Sequence, residues 1–250
     1  MSTREQEVTQ ALVSLATSLV DGADVVDLLS GLTTDCARLL DIASAGLLLA
    51  APDGVLHVVA ASSERTRNLE LYQLQREQGP CLDCYRDGAP VSVPDLQEQV
   101  DRWPRFVAEA TRAGFASVHA LPMRLRDQRL GTLGLFGTEV GSLSEADLSL
   151  GQALAHVVSI ALVHDRVASD KDAVAAQLQR ALSSRVHLEQ AKGVLAQLGG
   201  LDMDEAFARL RRYARDHNLR LSDVARDIAS RELSAQQLLA STAACVKSGN

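Results

Sequence analysis

Aromatic residues, cysteines and prolines are scarce in this sequence. Phe, Trp and Tyr make up 3% of the 250 residues, and there are 6 prolines and 4 cysteines. In the cytosol, where we expect this protein, structural disulfides are unlikely for Cys36, Cys81, Cys84 and Cys245. The longest apolar run, residues 43–51, is far shorter than the roughly 20 residues of a membrane-spanning helix. Charged residues at Arg4, Glu5 and Glu7 replace the apolar segment of a signal peptide, so we expect a cytoplasmic protein with no membrane contact.

The residue sets that are typical of catalysis are also missing. There is no Ser-His-Asp set, no catalytic carboxylate pair and no phosphate-binding loop, so we expect no enzymatic activity and no cofactor. Cys81 and Cys84 have the spacing of a metal or redox pair, but a closed zinc site needs four ligands. Cys36 and His57 are not grouped with them, so we predict no metal site. The two cysteines are either buried small residues or a regulatory thiol pair.

The overall amino-acid composition is that of a folded protein, with 46% hydrophobic and 23% charged residues. Apolar residues at helical spacing predict helices at 5–20 and 24–40, and helical segments follow at 64–77 and 103–113. Apolar runs bounded by turn residues predict strands at 45–51, 55–61, 91–93, 117–125 and 130–137. This order predicts an α+β fold, in which an antiparallel sheet is covered by helices on one face.

Four short motifs in this region resemble the GAF family of sensory domains. They are Gly79-Pro-Cys81, Gly88-Ala-Pro-Val91, Ala120-Leu-Pro122 and Leu130-Gly-Thr-Leu-Gly-Leu-Phe136. The resemblance implies a GAF-like sensory domain over residues 5–164. Three alternatives remain open for its role: it binds an unidentified small-molecule ligand, it binds nothing, or it serves only for dimerisation.

A single long helix is predicted after this domain, from the cap Ser144 to Leu198. The stretch has no proline, and at 1.5 Å per residue a continuous helix would extend about 80 Å. Apolar residues recur along it at alternating steps of three and four, which is typical of a coiled coil: Leu150, Ala153, Val157, Ile160, Val167, Val174, Leu178, Ala181 and Leu188. We therefore predict a coiled-coil dimerisation helix over 144–188, overlapping both neighbouring domains, and a homodimer. The alternative is a helix packed partly on its own sensory domain.

The last part of the chain predicts a small all-α three-helix bundle. The first helix ends at Gly199-Gly200, the second has the cap Asp202, and the third starts near the cap Ser222. Each helix has one apolar face, so the three can enclose a core. Residues 209–220 contain five arginines and one acid in a chain of net charge −7, which indicates either a polyanion site or a solvated basic face.

Three motifs in this part resemble the ANTAR domain, an RNA-binding three-helix module of bacterial transcription antiterminators. They are Glu189-Gln-Ala-Lys-Gly-Val-Leu195, Ala206-Phe-x-x-Leu-Arg211 and Leu221-x-x-Val-Ala225. The resemblance implies an ANTAR domain at 180–235, followed by a flexible tail at 236–250. In that family a dimer holds two adjacent stem-loops of nascent mRNA, so that an overlapping terminator hairpin does not form. The resemblance therefore implies that this protein is a regulator of transcription antitermination that acts in signal transduction.

The RNA contacts are expected on one side of the bundle. Gln190, Lys192, Arg211, Arg212 and Arg215 are expected to lie together, since arginine makes bidentate contacts to phosphate and guanine and glutamine can read a base. The family resemblance implies RNA contact for Arg185, Gln190, Ala191, Lys192, Arg211, Arg212 and Tyr213. We expect Glu189 to orient a neighbouring basic side chain.

Two other functions remain as alternatives. Leu221-Ser-Asp-Val-Ala225 also resembles the start of a helix-turn-helix, which would make the chain a DNA-binding transcription regulator with a GAF sensory domain. The other alternative is a signalling protein whose partner is another protein. It predicts weak binding to nucleic acid without a steep dependence on salt.

Overall fold

The structure is a computed structural model and describes residues 4–20, 24–51, 53–141, 143–164 and 171–244. The chain divides into two compact units. Unit 1 contains Met1–Gly22 and Leu28–Gln179, and unit 2 contains Ala23–Asp27 and Arg180–Asn250. None of the described helices combines the length and the hydropathy needed to cross a membrane.

Helices and strands follow one another in nearly the predicted order. The elements are α1 (Arg4–Val20), α2 (Val25–Leu39), β1 (Ser44–Ala50), β2 (Leu56–Ala61), α3 (Glu64–Arg76), α4 (Pro80–Asp87), β3 (Val91–Val93), a 3-10 helix (Leu96–Gln99), α5 (Pro104–Arg112), β4 (Ser117–Leu125), β5 (Gln128–Gly137), α6 (Glu145–His164), α7 (Lys171–Gly199), α8 (Met203–Asp216), α9 (Leu221–Ala229) and α10 (Ala235–Ala244).

Unit 1 is built on a five-stranded sheet with the order β2-β1-β5-β4-β3. Every described pairing is antiparallel, which confirms the predicted sheet. The turn between β4 and β5 is shorter than the predicted loop at 126–129, because Arg126 adopts a left-handed conformation with φ 53° and β5 already begins at Gln128.

Helices cover both faces of this sheet. On one face, α3, α4 and α5 share a core with Leu48, Val118, Ala120 and Phe136. On the other, Gly151 of α6 lies against Leu121 and Leu135. The prediction of helices on one face is therefore wrong. A strand with two covered faces carries apolar residues on both, as β1 does after its first residue, Ser44, so alternation cannot reveal a solvent side.

Helix α4 was not predicted, although its sequence contains the usual boundary signals. Pro80 occupies the first turn after Gly79, and Gly88 ends the helix with φ 68°. Proline at a helix start and glycine just past its end are the favoured residues there. The helix places Cys81 and Cys84 in the core of unit 1, where neither has exposed surface.

The predicted long helix is found as α6 and α7. Ser144 caps α6 as expected, since its hydroxyl accepts a hydrogen bond of 3.1 Å from the Asp147 amide. Residues 165–170 lie outside the described residues, and continuity of the rod depends on them. The predicted seam residues Val167, Val174, Leu178 and Ala181 likewise lie outside the described side chains.

The first seam residues lie beside the face of α6 that packs on the sheet. The buried residues of α6 include Leu154, Val158 and Leu162, whereas Leu150, Val157 and Ile160 are half-buried and Ala153 is exposed. The prediction that the apolar seam extends to Leu188 is wrong. Leu188 is buried in the core of unit 2 and is not available to a partner helix.

Unit 2 contains the three predicted helices and one that was not predicted. Its core residues are Val26, Leu188, Ala191, Leu195, Ala206, Leu210, Ala214, Leu221, Val224, Ala225, Ile228, Ala235 and Leu238. The last two belong to α10, so the prediction of a flexible tail is wrong for residues 236–244. Ala235, Leu238 and Leu239 have helical spacing and add a small apolar face, which α10 buries against α8. Residues 245–250 lie outside the described residues.

Candidate RNA-binding surface

The orientation of α8 is set by its apolar stripe and by its cap. Ala206, Leu210 and Ala214 recur every four residues and are buried. The Asp202 carboxylate accepts a hydrogen bond of 2.7 Å from the Glu205 amide, which satisfies one of the free N–H groups of the first turn. Arginines that flank the buried stripe are therefore held at the surface of the unit.

Three of these arginines form the basic face of α8, which we define as Arg211, Arg212 and Arg215. Arg211 and Arg212 are half-buried, and the Arg215 side chain is 73% exposed with its guanidinium 3.7 Å from the Asp216 carboxylate. Arg209 lies elsewhere on the helix, where an ion pair of 2.8 Å holds it to Glu205. Positions 211 and 215 are one turn apart, so one anion can contact both.

The predicted contacts on α7 divide into exposed and buried residues. Gln190 is exposed, and Arg185, which lies earlier on the same helix, is half-buried. Ala191 has no exposed surface, so it packs in the core and offers no RNA contact in this structure; that prediction is wrong. A small residue is needed there because helices pack closely around it.

Lys192 is also largely buried, which the sequence did not reveal. Its Nζ lies 3.1 Å from the Glu189 Oε2 and 5.9 Å from the centre of the Phe207 ring on α8. Glu189 also forms an ion pair of 3.4 Å with Arg185, so it contacts basic residues on both sides, as expected. The lysine thus joins α7 to α8 through the cation–π contact with Phe207, while its ion pair with Glu189 lies within α7.

An aromatic pair at the end of α8 adds His217 to the candidate RNA-binding surface, a residue that the sequence motifs do not indicate. The rings of Tyr213 and His217 stack with their centres 4.0 Å apart and 22° between their planes. Tyr213 is half-buried and His217 is exposed. The signal was their separation by four residues on one helix, which places two rings on the same side.

The start of α9 differs from the prediction. Arg220 occupies the cap position without a side-chain hydrogen bond, and Ser222 lies within the first turn instead of capping it. Two carboxylates from the beginning of α2 take the role of the cap. Asp24 accepts hydrogen bonds from the Ser222 amide, at 3.2 Å, and from the Ser222 hydroxyl, and Asp27 accepts one of 3.3 Å from the Leu221 amide.

The charge of Asp27 is influenced by its surroundings. Burial and, to a smaller extent, the negative charge of Asp24 raise the pKa of Asp27, whereas the Leu221 hydrogen bond and the positive charge of Arg211 act to lower it. Asp27 therefore lies close enough to the basic face of α8 to interact with one of its arginines.

Comparison with known families identifies both units. The family model described as GAF domain matches residues 2–163, which is more than half of the chain. The chain belongs to the GAF domain family. A second family model, described as ANTAR domain, matches residues 176–228. A search among curated proteins finds no match.

Solved structures support the GAF fold. The GAF domain of an Acinetobacter phosphoenolpyruvate-protein phosphotransferase aligns with a TM-score of 0.52 at 13% identity, over 69% of this chain and 100% of that one. The corresponding domain from Coxiella burnetii gives 0.52 at 12% identity, over 66% and 97%. Free methionine-R-sulfoxide reductase from Neisseria meningitidis gives 0.51 at 15%, over 66% and 92%. At such identities the likeness concerns the fold alone.

A GAF domain followed by an ANTAR domain is the architecture of an RNA-binding antitermination regulator with a GAF sensor. It is a regulatory arrangement. The basic face of α8 and the capped start of α9 both lie within the matched ANTAR residues.

The interior of the GAF domain contains a buried polar cluster, which we define as Glu70, Gln73 and Cys81. Glu70 accepts a hydrogen bond from the Gln73 amide, and the Cys81 thiol lies 3.5 Å from its Oε1. Burial raises the pKa of Glu70 to about 8, so the carboxyl is mostly protonated at neutral pH. Burial also raises the pKa of Cys81, and that of Cys84 to about 12.

These environments favour the interpretation of the cysteine pair as buried small residues. Buried thiols with raised pKa values are poor nucleophiles and poor metal ligands, because the thiolate is the reactive form. Among the residues that the structure describes, no group of three or more His, Cys, Asp or Glu side chains could hold a metal ion. Cys81 and Cys84 are therefore core residues in this structure.

A separate cavity of about 490 Å³ opens in the GAF domain where β4 begins and β5 ends. Ser117, His119, Asp41 and Glu139 are among its lining residues. Burial lowers the pKa of His119, and a hydrogen bond with the Gly141 backbone acts in the opposite direction. The His119 Nδ1 lies 2.7 Å from the Ser92 hydroxyl, so this wall of the cavity is fixed by neighbouring strands.

Proposed function

We propose that this protein is a cytoplasmic transcription antitermination regulator whose dimer binds two adjacent stem-loops of nascent mRNA. Binding keeps a terminator hairpin from forming, and the polymerase continues. The observation that carries the proposal is the basic face of α8, three arginines gathered within five residues of a domain that matches the ANTAR family, in a chain of net charge −7.

The chemistry of the surface suits an RNA loop. A base-paired RNA helix hides its base edges in a deep groove, whereas a loop presents unpaired bases. Arginine planes stack on bases and bind phosphate with two parallel hydrogen bonds. Tyr213 and His217 add stacked rings at the end of the same helix, and exposed Gln190 adds a group that can pair with a base edge.

Dimerisation is supported by the apolar stripe on α6. Leu150, Val157 and Ile160 are only half-buried beside the face that packs on the sheet. Residues spaced by three and four along a helix form the stripe through which two helices associate. Two copies joined in this way would offer one basic face to each of two loops. We further propose a small-molecule ligand as the signal that the GAF domain receives.

Substituting Arg211 tests the proposal. In the full-length protein, Arg211→Ala should weaken binding to a two-hairpin RNA by about 5- to 150-fold, since one bidentate contact is worth about 1–3 kcal/mol. Arg124→Ala removes the same charge from an exposed site in the GAF domain and should bind as the wild type does. Light scattering should give the mass of a dimer for both variants.

Three outcomes would contradict the proposal. Normal RNA binding by Arg211→Ala would reject the contact face. Preference for duplex DNA over a two-hairpin RNA of equal length would favour the DNA-binding regulator. A protein that stays monomeric with and without RNA would exclude the paired arrangement.

A further inference from the structure

Two acidic residues occupy the start of α9, and we call them the acidic clasp: Asp24 and Asp27. Both belong to the same compact unit as α7–α10. Their carboxylates together accept hydrogen bonds from two backbone amides and one hydroxyl of the first turn, at residues 221 and 222. Asp24 also accepts a hydrogen bond of 2.9 Å from the Val26 amide, which fixes the carboxylate at the start of α2.

The clasp satisfies what the first turn of a helix requires. The first N–H groups of a helix have no partner within it and carry a partial positive charge, so a carboxylate nearby is stabilising. In most helices a residue adjacent in sequence supplies this acceptor. Here Arg220 does not, and the acceptors are separated from α9 by almost 200 residues of sequence.

A cap alone would not need two carboxylates at this place. One neutral oxygen from serine or asparagine caps a helix about as well as aspartate. The clasp instead has two formal charges, and burial of Asp27 acts against its ionised form. The clasp binds residues 221 and 222, which follow the turn that leaves α8, where the Leu219 amide donates a hydrogen bond to the Ala214 carbonyl. It therefore lies next to the end of α8 that contains the basic face, and the positive charge of Arg211 acts on Asp27.

We propose that the acidic clasp is an autoinhibitory contact of the RNA-binding unit. While Asp24 and Asp27 are seated on α9, their negative charges oppose the approach of RNA phosphates to the basic face of α8. When the clasp withdraws, Arg211 and the first turn of α9 become available to the polyanion. This inference rests on the proposed RNA-binding function and adds its regulation.

The test compares RNA affinity in full-length protein when the clasp loses its charge. The double variant Asp24→Asn with Asp27→Asn keeps side-chain oxygens that can accept the same hydrogen bonds. We expect it to bind a two-hairpin RNA about tenfold more tightly than the wild type, within the usual range of coupling between sites. The control Asp101→Asn with Asp127→Asn removes two charges from exposed positions of unit 1 and should change affinity less than twofold.

A second variant covers the case in which the double variant does not fold. Ser222→Ala deletes the hydroxyl that donates to Asp24 and leaves both carboxylates in the chain. Tighter RNA binding by this variant supports the contact, and equal or weaker binding overturns it. Melting curves show which of the two variants is folded, and the RNA affinity of the folded variant is then compared with that of the wild type.

The outcomes separate this inference from the function on which it rests. If wild type and clasp variant bind RNA equally, or the variant binds more weakly, the clasp is only a helix cap and the RNA-binding function stands. If neither the wild type nor any variant binds RNA, the proposed function itself fails.

Discussion

Gly46 of β1 and Gly134 of β5 are direct partners across the sheet of unit 1, and the Glu70 carboxyl lies against both. A methyl group on Gly134 would lie 2.7 Å from the Glu70 Oε1 and 2.9 Å from the Cys81 sulfur. The two glycines thus permit α3 and α4 to approach the sheet with a polar cluster between them.

Adding that methyl group should destabilise unit 1. We expect Gly134→Ala to lower the free energy of unfolding by about 1–3 kcal/mol, because the added atom overpacks a filled interior. Urea unfolding can be followed by the fluorescence of Trp103, which is the only tryptophan and is buried in this unit. Gly193→Ala is the control, since nothing lies within 4 Å of its added methyl group. Equal stability of Gly134→Ala and wild type would show that the cluster is not tightly packed.

The pH dependence of unit 1 should depend on Glu70. Burial raises its pKa from 4.5 to about 8, so between these values the folded chain holds a proton that the unfolded chain has released. The unfolded state then binds fewer protons, and stability falls as pH rises, by at most about 1.4 kcal/mol per pH unit for one proton. This contribution is complete below pH 4.5 and lost as pH passes through about 8.

Glu70→Gln removes the titration and keeps the shape of the protonated carboxyl. We expect its stability relative to the wild type to increase steadily from pH 5 to pH 8, measured by urea unfolding with Trp103 fluorescence. Glu109→Gln, a change at a solvent-accessible carboxylate, serves as the control and should follow the wild type. Parallel curves for Glu70→Gln and wild type would mean that Glu70 is already ionised in the folded protein.

Features encoded by neighbouring residues were predictable from the sequence. The strands follow from apolar runs between turns, and the predicted bounds of β4 agree with the structure because its ends are marked on both sides. The burial of both sheet faces was not predictable in this way, because β1 contains no polar residue at alternate positions to mark a solvent side.

The candidate RNA-binding surface was likewise predictable only where neighbouring residues encode a feature. The caps at Ser144 and Asp202 act within three residues, and the sequence predicts both. The family resemblance implied contacts at Lys192 and Ala191, but their burial depends on how α8 packs against α7. The capping of α9 by Asp24 depends on a contact across 198 residues, which no local pattern encodes.

The packing of α10 gives a further prediction, because it replaces the expected flexible tail. Leu238 has no exposed surface and belongs to the same core as Leu210 and Ala214. Leu238→Ala should lower the stability of unit 2 by about 2–5 kcal/mol, the usual cost of truncating a buried leucine. Far-UV circular dichroism would show an earlier loss of helix, while Trp103 fluorescence should report an unchanged unit 1. Gln237→Ala changes an exposed neighbour on the same helix and should melt with the wild type. If Leu238→Ala also melts with the wild type, α10 contributes nothing to the core, and the ANTAR unit ends with α9.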